Sequence, residues 1–252
     1  MIGNRYEYDT MASCEQQLWW YRCLHDLTLQ KIKKNTIVTN PRILDAGCGT
    51  GGLLLYLKKN GYADLSGFDL SPDAVDYARE SSGIDVQKAD ITKPGNIYHQ
   101  NSFDIITSND ILCQLGDEQE KEALAQLLIL LKPGGLLLMN FPALKAFKGT
   151  HDIAVDLKRR YSKKSLQKLV AGTAMVKEIT YWPFFLSPAI FFIRTIQKFK
   201  FLFIKNQKIV SDVKMPPALV NRIFYHLTNF ENIYMQTKPW GSSLFLVLQK
   251  PA

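Results

Sequence analysis

Between residues 42 and 141, short apolar runs alternate with amphipathic stretches, and no other feature constrains the fold as much. "RILDAG" reads as a buried strand, and Gly52 to Lys59 as a helix. "LSGFDL" is a second strand. "SPDAVDYARESS" opens a helix with Ser71 as its cap and Pro72 at the first helical position. "DVQKAD" and "SFDIITSND" follow as strands, "DEQEKEALAQLLILL" as a helix stopped by "KPGG", and "LLLMNFP" as a fifth strand. Strands separated by helices predict a parallel, doubly wound sheet. Two later runs, "MVKEITYWP" and "SSLFLVLQK", bring the expected strands to seven. They flank an insertion of about sixty residues, longer than an ordinary connection.

The rest of the chain divides around this core. "CEQQLWWYRCLHDLTLQKIKK" predicts an amphipathic helix with Leu18, Tyr21, Leu24, Leu27 and Ile32 near one face. Inside the insertion, "SPAIFFIRTIQKFKFLFI" is a strongly apolar helix studded with cations, and "SDVKMPPALVNRIFYHLTNFENIY" a loop and a helix. The expected layout over 1–252 is one domain: a helical lid over 1–40, the core sheet over 41–182, a helical cap over 183–241 and a last strand over 242–252. Residues 145–252 hold 18 lysines and arginines against five acids, a balance of +13, whereas residues 1–144 balance at −5. A basic second part suits an anionic substrate, an anionic membrane surface or nucleic acid. Cys14, Cys23, Cys48 and Cys113 lack close-paired metal spacing, and no basic-then-apolar leader opens the chain. Free thiols in the cytoplasm and no metal are therefore expected.

The sheet reading places "ILDAGCGTGG" at the carboxyl end of the first strand, where such sheets bind ligands. Gly47, Gly49 and Gly51 stand at alternate positions. A dinucleotide loop has a different spacing and offers a pyrophosphate no leading acid. Asp45 directly before this loop repels phosphate and suits a cation.

These residues resemble motif I of class I S-adenosylmethionine-dependent methyltransferases, whose fold is a Rossmann-like sheet. Asp69-Leu70 in "GFDLS" resembles the acid that takes the ribose hydroxyls. Asp90-Ile91 in "KADITK" resembles the adenine motif, and "FDIITSNDIL" and "LLKPGGLLLMNFP" resemble motif IV and the strand after it. The resemblance implies S-adenosyl-L-methionine as methyl donor and S-adenosyl-L-homocysteine as product. It implies Arg22, Asp45, Gly47, Gly49, Gly51, Asp69, Leu70, Asp90, Ile91 and Asn109 as cofactor contacts.

"LWWYR", "D-x-L", "HD…RRYS", "SDV…PP" and "GSSL" also resemble a bacterial subgroup that tailors small molecules and natural products. Where many relatives have a histidine after "D-x-L", this chain has Cys113-Gln114. His151 and Asp110 are then the candidate catalytic groups, and Tyr21, Cys113, Arg160 and Tyr161 the candidate acceptor contacts. The expected acceptor is a small molecule or short peptide, anionic or apolar, methylated on a carboxylate or hydroxyl oxygen. Transfer to nitrogen or carbon of a small or lipid-like acceptor is the alternative. Nucleic acid is not expected as a substrate, because the "NPPY"-type loop is missing. The apolar, basic insertion allows peripheral membrane contact. Monomer and homodimer both remain open.

Overall fold

The computed structural model describes residues 5–203 and 215–252. Seven strands form one sheet: β1 (Ile43–Ala46), β2 (Leu65–Asp69), β3 (Val86–Lys88), β4 (Phe103–Asn109), β5 (Leu131–Pro142), β6 (Met175–Trp182) and β7 (Ser243–Gln249). Their order is β3-β2-β1-β4-β5-β7-β6. Strands β1 to β5 pair in parallel, and β7 runs antiparallel between β5 and β6. The Rossmann-like, mostly parallel sheet expected from the alternation is thus present.

The central strands are apolar on both faces because helices cover both. Ile105, Leu136, Leu138, Phe245 and Val247 pack on one side, against α2 (Trp19–Asn35) and α3 (Gly52–Lys59). Ile106, Leu137, Met139, Leu244 and Leu246 pack on the other, against α5 (Asp117–Leu130). Neighbouring residues of one strand therefore serve opposite cores. α4 (Pro72–Ser82) starts as predicted, with Ser71 Oγ accepting from Ala74 N at 3.5 Å and Pro72 in the first turn. α7 (Lys163–Val170) likewise begins at a capping Ser162. All four cysteines are free and buried.

Two expectations need correction. The first helix does not run unbroken from Cys14. A separate α1 (Arg5–Cys14) precedes it, and Glu15 to Leu18 form the turn into α2. "KPGG" does not stand between helix and strand either. β5 begins at Leu131, and the pairing jumps from Phe103–Leu131 to Ile105–Leu136. The intervening residues bulge out, with Gly134 at φ 75. They are tied to the chain end through Gly134 N to Lys250 O at 3.1 Å and Lys250 N to Gly135 O at 2.9 Å.

After the short α6 (Thr150–Ala154), α7 and β6, the insertion supplies α8 (Ser187–Phe203) and α9 (Ala218–Tyr234). α9 packs along α2 through polar contacts. Trp19 N donates to Asn221 Oδ1 at 2.9 Å, and Tyr225 Oη to Asp26 Oδ2 at 2.7 Å. Its far end holds the start of α8. The buried Glu231 carboxylate accepts from Phe184 N at 2.6 Å and Phe185 N at 2.8 Å, and Lys238 Nζ lies 3.9 Å away. Burial pushes Glu231 up and lowers Lys238 to about 8.

Removing one member of a buried pair strands the other, which costs about 3–5 kcal/mol. Glu231→Ala is expected to lower unfolding stability by that amount in urea melts. Glu231→Ala combined with Lys238→Met should recover much of it.

Candidate active site

The strand order reverses at β1, whose neighbours are β2 and β4. Connections leaving the carboxyl ends of β1 and β4 go to opposite faces, which opens a crevice. A cleft of about 690 Å³ occupies it. The glycine loop forms part of its floor. Gly47 has φ 77, and a Cβ there would lie 2.4 Å from Ile111 Cγ1, so the turn and the neighbouring strand end both require glycine. Gly49 N donates to Asp69 Oδ2 at 3.0 Å, and Ser71 N to Asp69 Oδ1 at 2.9 Å. Each oxygen of a carboxylate has two lone pairs, so Asp69 retains capacity for two hydroxyls. Asp90 Oδ1 accepts from Thr92 N at 2.9 Å and Thr92 Oγ1 at 2.8 Å, and Asp90 lines the cleft with Ile91 and the exposed Leu70.

Asp45 is buried beneath the loop and accepts from Thr107 Oγ1 at 2.6 Å. Burial raises its carboxyl to about 7 against the pull of Thr107, and Asp69 adds to the rise. A second buried acid, Glu15, was not legible as a site residue. It accepts from the Thr50 hydroxyl and, at 3.1 Å, from Gly52 N, and a Cβ at Gly52 would lie 2.1 Å from its Cδ. Burial brings Glu15 to about 7 as well. His25 Nε2 lies 3.9 Å from Glu15, but burial lowers this imidazole to about 3, so the contact is not an ion pair at neutral pH. Tyr8, Met11 and Glu15 all line the cleft. Tyr8 and Met11 lie one turn apart on α1, and Glu15 follows in the turn after it.

The remaining candidates divide. Tyr21, Asn109, Asp110 and Arg160 line the cleft with the acids and Gly47 and Gly49. Asp110 sits at φ 57, accepts from Asn140 Nδ2 at 2.8 Å through Oδ2, and donates its N–H to Asn140 O at 2.9 Å. Asn140 Oδ1 in turn accepts from Trp182 Nε1 at 2.9 Å. Trp19 and Trp20 both line the cleft, and Trp20 also stacks on Trp182 at 5.5 Å.

Five candidates have other partners in the structure. Arg22 lies outside the cleft, with its guanidinium 3.9 Å from the centroid of the Tyr225 ring, a cation–π contact that replaces the expected carboxylate. Gly51 begins α3 at φ 82, and a Cβ there would strike Ala78 Cα at 2.8 Å, so it serves the packing of α3 on α4. Cys113 is fully buried, and its Sγ donates to Asp110 O at 3.1 Å. Tyr161 is buried against Phe141 and donates its hydroxyl to Glu120. Arg160 reaches the cleft, but both sides of its fork are taken by Asp152, at 2.6 and 2.7 Å, and Ala143 O takes a third N–H at 3.0 Å. His151 lies in α6, and its side chain falls outside the described residues, as does Ser211-Asp212-Val213.

The cleft fits a ligand with a cationic amino-acid end and a nucleoside end. Asp45 and Glu15 are buried acids with no lysine or arginine ion partner among the described residues. Asn109 Oδ1 is buried with no hydrogen-bond partner there. Asp69 and Asp90 supply acceptors for hydroxyls and an amine. Asp45, Glu15 and Asn109 would face the cationic end of S-adenosylmethionine, and Asp69, Asp90 and Ile91 its nucleoside.

Comparison with known proteins agrees. A family profile described as a methyltransferase domain matches residues 43–135. A ubiquinone biosynthesis O-methyltransferase of Paraburkholderia phymatum is 30% identical over 196 residues, 66% of this chain and 82% of that one. Phosphoethanolamine N-methyltransferase 3 of Arabidopsis thaliana is 33% identical over 125 residues, 47% of this chain; the match spans about a quarter of that protein, 24%. A SAM-dependent methyltransferase structure from Archaeoglobus fulgidus shares the fold, with a TM-score of 0.57, 17% identity, and coverage of 90% of this chain and 94% of that one. Motif order, sheet topology and similarity across most of a curated relative together make this chain a member of the S-adenosylmethionine-dependent methyltransferases.

Proposed function

We propose that the chain methylates a hydroxyl oxygen of a small, largely apolar acceptor. One observation carries this reading. One cleft is lined by the acids Asp45, Asp69 and Asp90, by the apolar Leu115, Pro142, Phe147, Leu157 and Ile190, and by Asn109 and Asp110. The O-methyltransferase similar to this chain over most of its own length supports oxygen as the receiving atom.

When bound, S-adenosylmethionine supplies an electrophilic methyl group on a sulfonium. The chain supplies alignment and proton management. Asp69 and Asp90 grip the nucleoside end. The tryptophans beside the cleft and the apolar wall exclude water. Asp110 holds its position through Asn140 and takes the proton of an acceptor hydroxyl on its carboxylate. The pairing of Arg160 with Asp152 bears on the acceptor's charge. The arginine expected to contact the acceptor is thus held by an internal carboxylate. That moves the reading from a carboxylate toward a hydroxyl.

Titration calorimetry is expected to show S-adenosylmethionine binding, weakened about ten- to a hundredfold in Asp69→Ala, the worth of hydrogen bonds to a charged group. Equal affinity in the two proteins overturns the assignment of Asp69. Asp110→Asn is expected to keep that binding and to lower kcat toward hydroxyl acceptors by about a hundredfold or more, measured as methyl transfer from labelled donor. Unchanged turnover removes Asp110 as the base.

The buried acids add a pH dependence. The folded protein holds protons on Glu15 and Asp45 up to about 7, whereas the ordinary values are 4.5 and 3.8. Between those values the folded state binds more protons than the unfolded chain, so stability without ligand falls as pH rises from about 4 through about 7. A cationic ligand prefers the ionised carboxylates, so its affinity should rise across the same window. Thermal melts and calorimetry at pH 5.5 and 8 check both slopes. Glu15→Gln is expected to flatten them.

A further inference from the structure

α9 is inverted relative to an ordinary surface helix. Its inward face is largely polar: Thr228, Glu231 and Asn232 are buried, and Asn221 and Tyr225 bond to the α2 region, with Phe224 adding an edge contact to Trp19. Its outward face carries Leu219, Ile223, Phe230, Ile233 and Tyr234, between 51% and 70% exposed. These positions fall near one stripe at helical spacing. α8 adds Phe191, Phe192 and Ile193, exposed on successive positions. Phe185 and Trp240 are exposed where the two helices meet at the Glu231 clasp. Single exposed apolar side chains are ordinary, but a concentration on two neighbouring elements marks a surface that meets an apolar partner.

Charge decides what that partner is. Residues 179–211 contain no acid. Lys145 and Lys148 are exposed on the turn that packs against α8 through Phe147 and Phe191, whose rings lie 6.2 Å apart. Arg222 is exposed on α9. A second copy would bring the same cations against themselves, so this flank opposes self-association. Nucleic acid would match the cations and leave leucine, isoleucine and phenylalanine without an apolar partner. A bilayer with anionic headgroups satisfies both, taking the apolar side chains below the headgroups and the cations at their level. No helix among the described residues is long and apolar enough to cross a membrane, so the contact is a helix pair lying on the surface.

We propose that the α8–α9 face docks on anionic lipid membranes. α8 also contributes Ile190 and Arg194 to the lining of the cleft. Docking therefore sets the α8 side of the cleft beside the bilayer, and, resting on the function proposed above, selects an acceptor dissolved in it.

Vesicle sedimentation tests this with the full chain. With vesicles of equal phosphatidylglycerol and phosphatidylcholine, most of the protein is expected to pellet. With phosphatidylcholine alone it should stay in solution, and about 0.5 M salt should release the bound fraction. Phe192→Asp with Ile193→Asp, and separately Ile223→Asp with Phe230→Asp, should lower vesicle binding by about tenfold or more. These exposed side chains lie outside the cleft, so thermal melts and S-adenosylmethionine binding should match the parent protein. Protein left in the supernatant with anionic vesicles overturns the proposal. So does a dimer in sedimentation velocity that the same substitutions dissociate, because the face would then be a self-interface. Vesicle binding without S-adenosylmethionine binding leaves docking standing and overturns the proposed function alone.

Discussion

The reversal of strand order at β1 is the constraint on which the site depends. Right-handed crossovers carry the chain outward from β1 to β3 and then back across to β4. The helices that follow β1 and β4 therefore leave toward opposite faces, and no backbone covers the gap between the two strand ends. Every cleft residue on the sheet side owes its place to this. Asp45 and Gly47 end β1, Asp69 ends β2, and Asn109 and Asp110 end β4.

Closing the gap from above places acids where water is scarce. The turn after α1 puts Glu15 on the first turn of α3, and Asp45 lies beneath the same loop. Burial raises both carboxyls, and the neutral His25 offers no compensation. The unbound site is destabilised by what a cation would relieve. The structure elsewhere neutralises its buried charges: Arg160 against Asp152, Arg159 against Glu120, and Lys238 beside Glu231. Uncompensated acid at the glycine loop thus stands apart from the rest of the interior.

Legibility in the sequence followed the range of the interaction. The seven strands, most helices and the Ser71 cap depend on neighbours within a few positions and were readable, whereas the break between α1 and α2 was not. The acids at strand ends were readable because a strand end is a local event. Glu15 was missed because its meaning comes from Gly52, 37 positions away. Arg22, Arg160, Cys113 and Tyr161 were assigned to the cleft from motif position, yet each is held by a partner that motif position does not reveal: Tyr225, Asp152, the carbonyl of Asp110 and Glu120.

By itself, the sequence determined the alternating architecture and the glycine turn after β1, because periodicity and turn chemistry act over a few residues, and its motifs carried the resemblance that implied the methyl donor. Tertiary structure alone decided which cations were spent on internal partners, which acids stayed without one, and which face of α9 turned outward. Those outcomes depend on burial. A charged or apolar side chain acquires its free energy from what surrounds it after the chain has closed on itself.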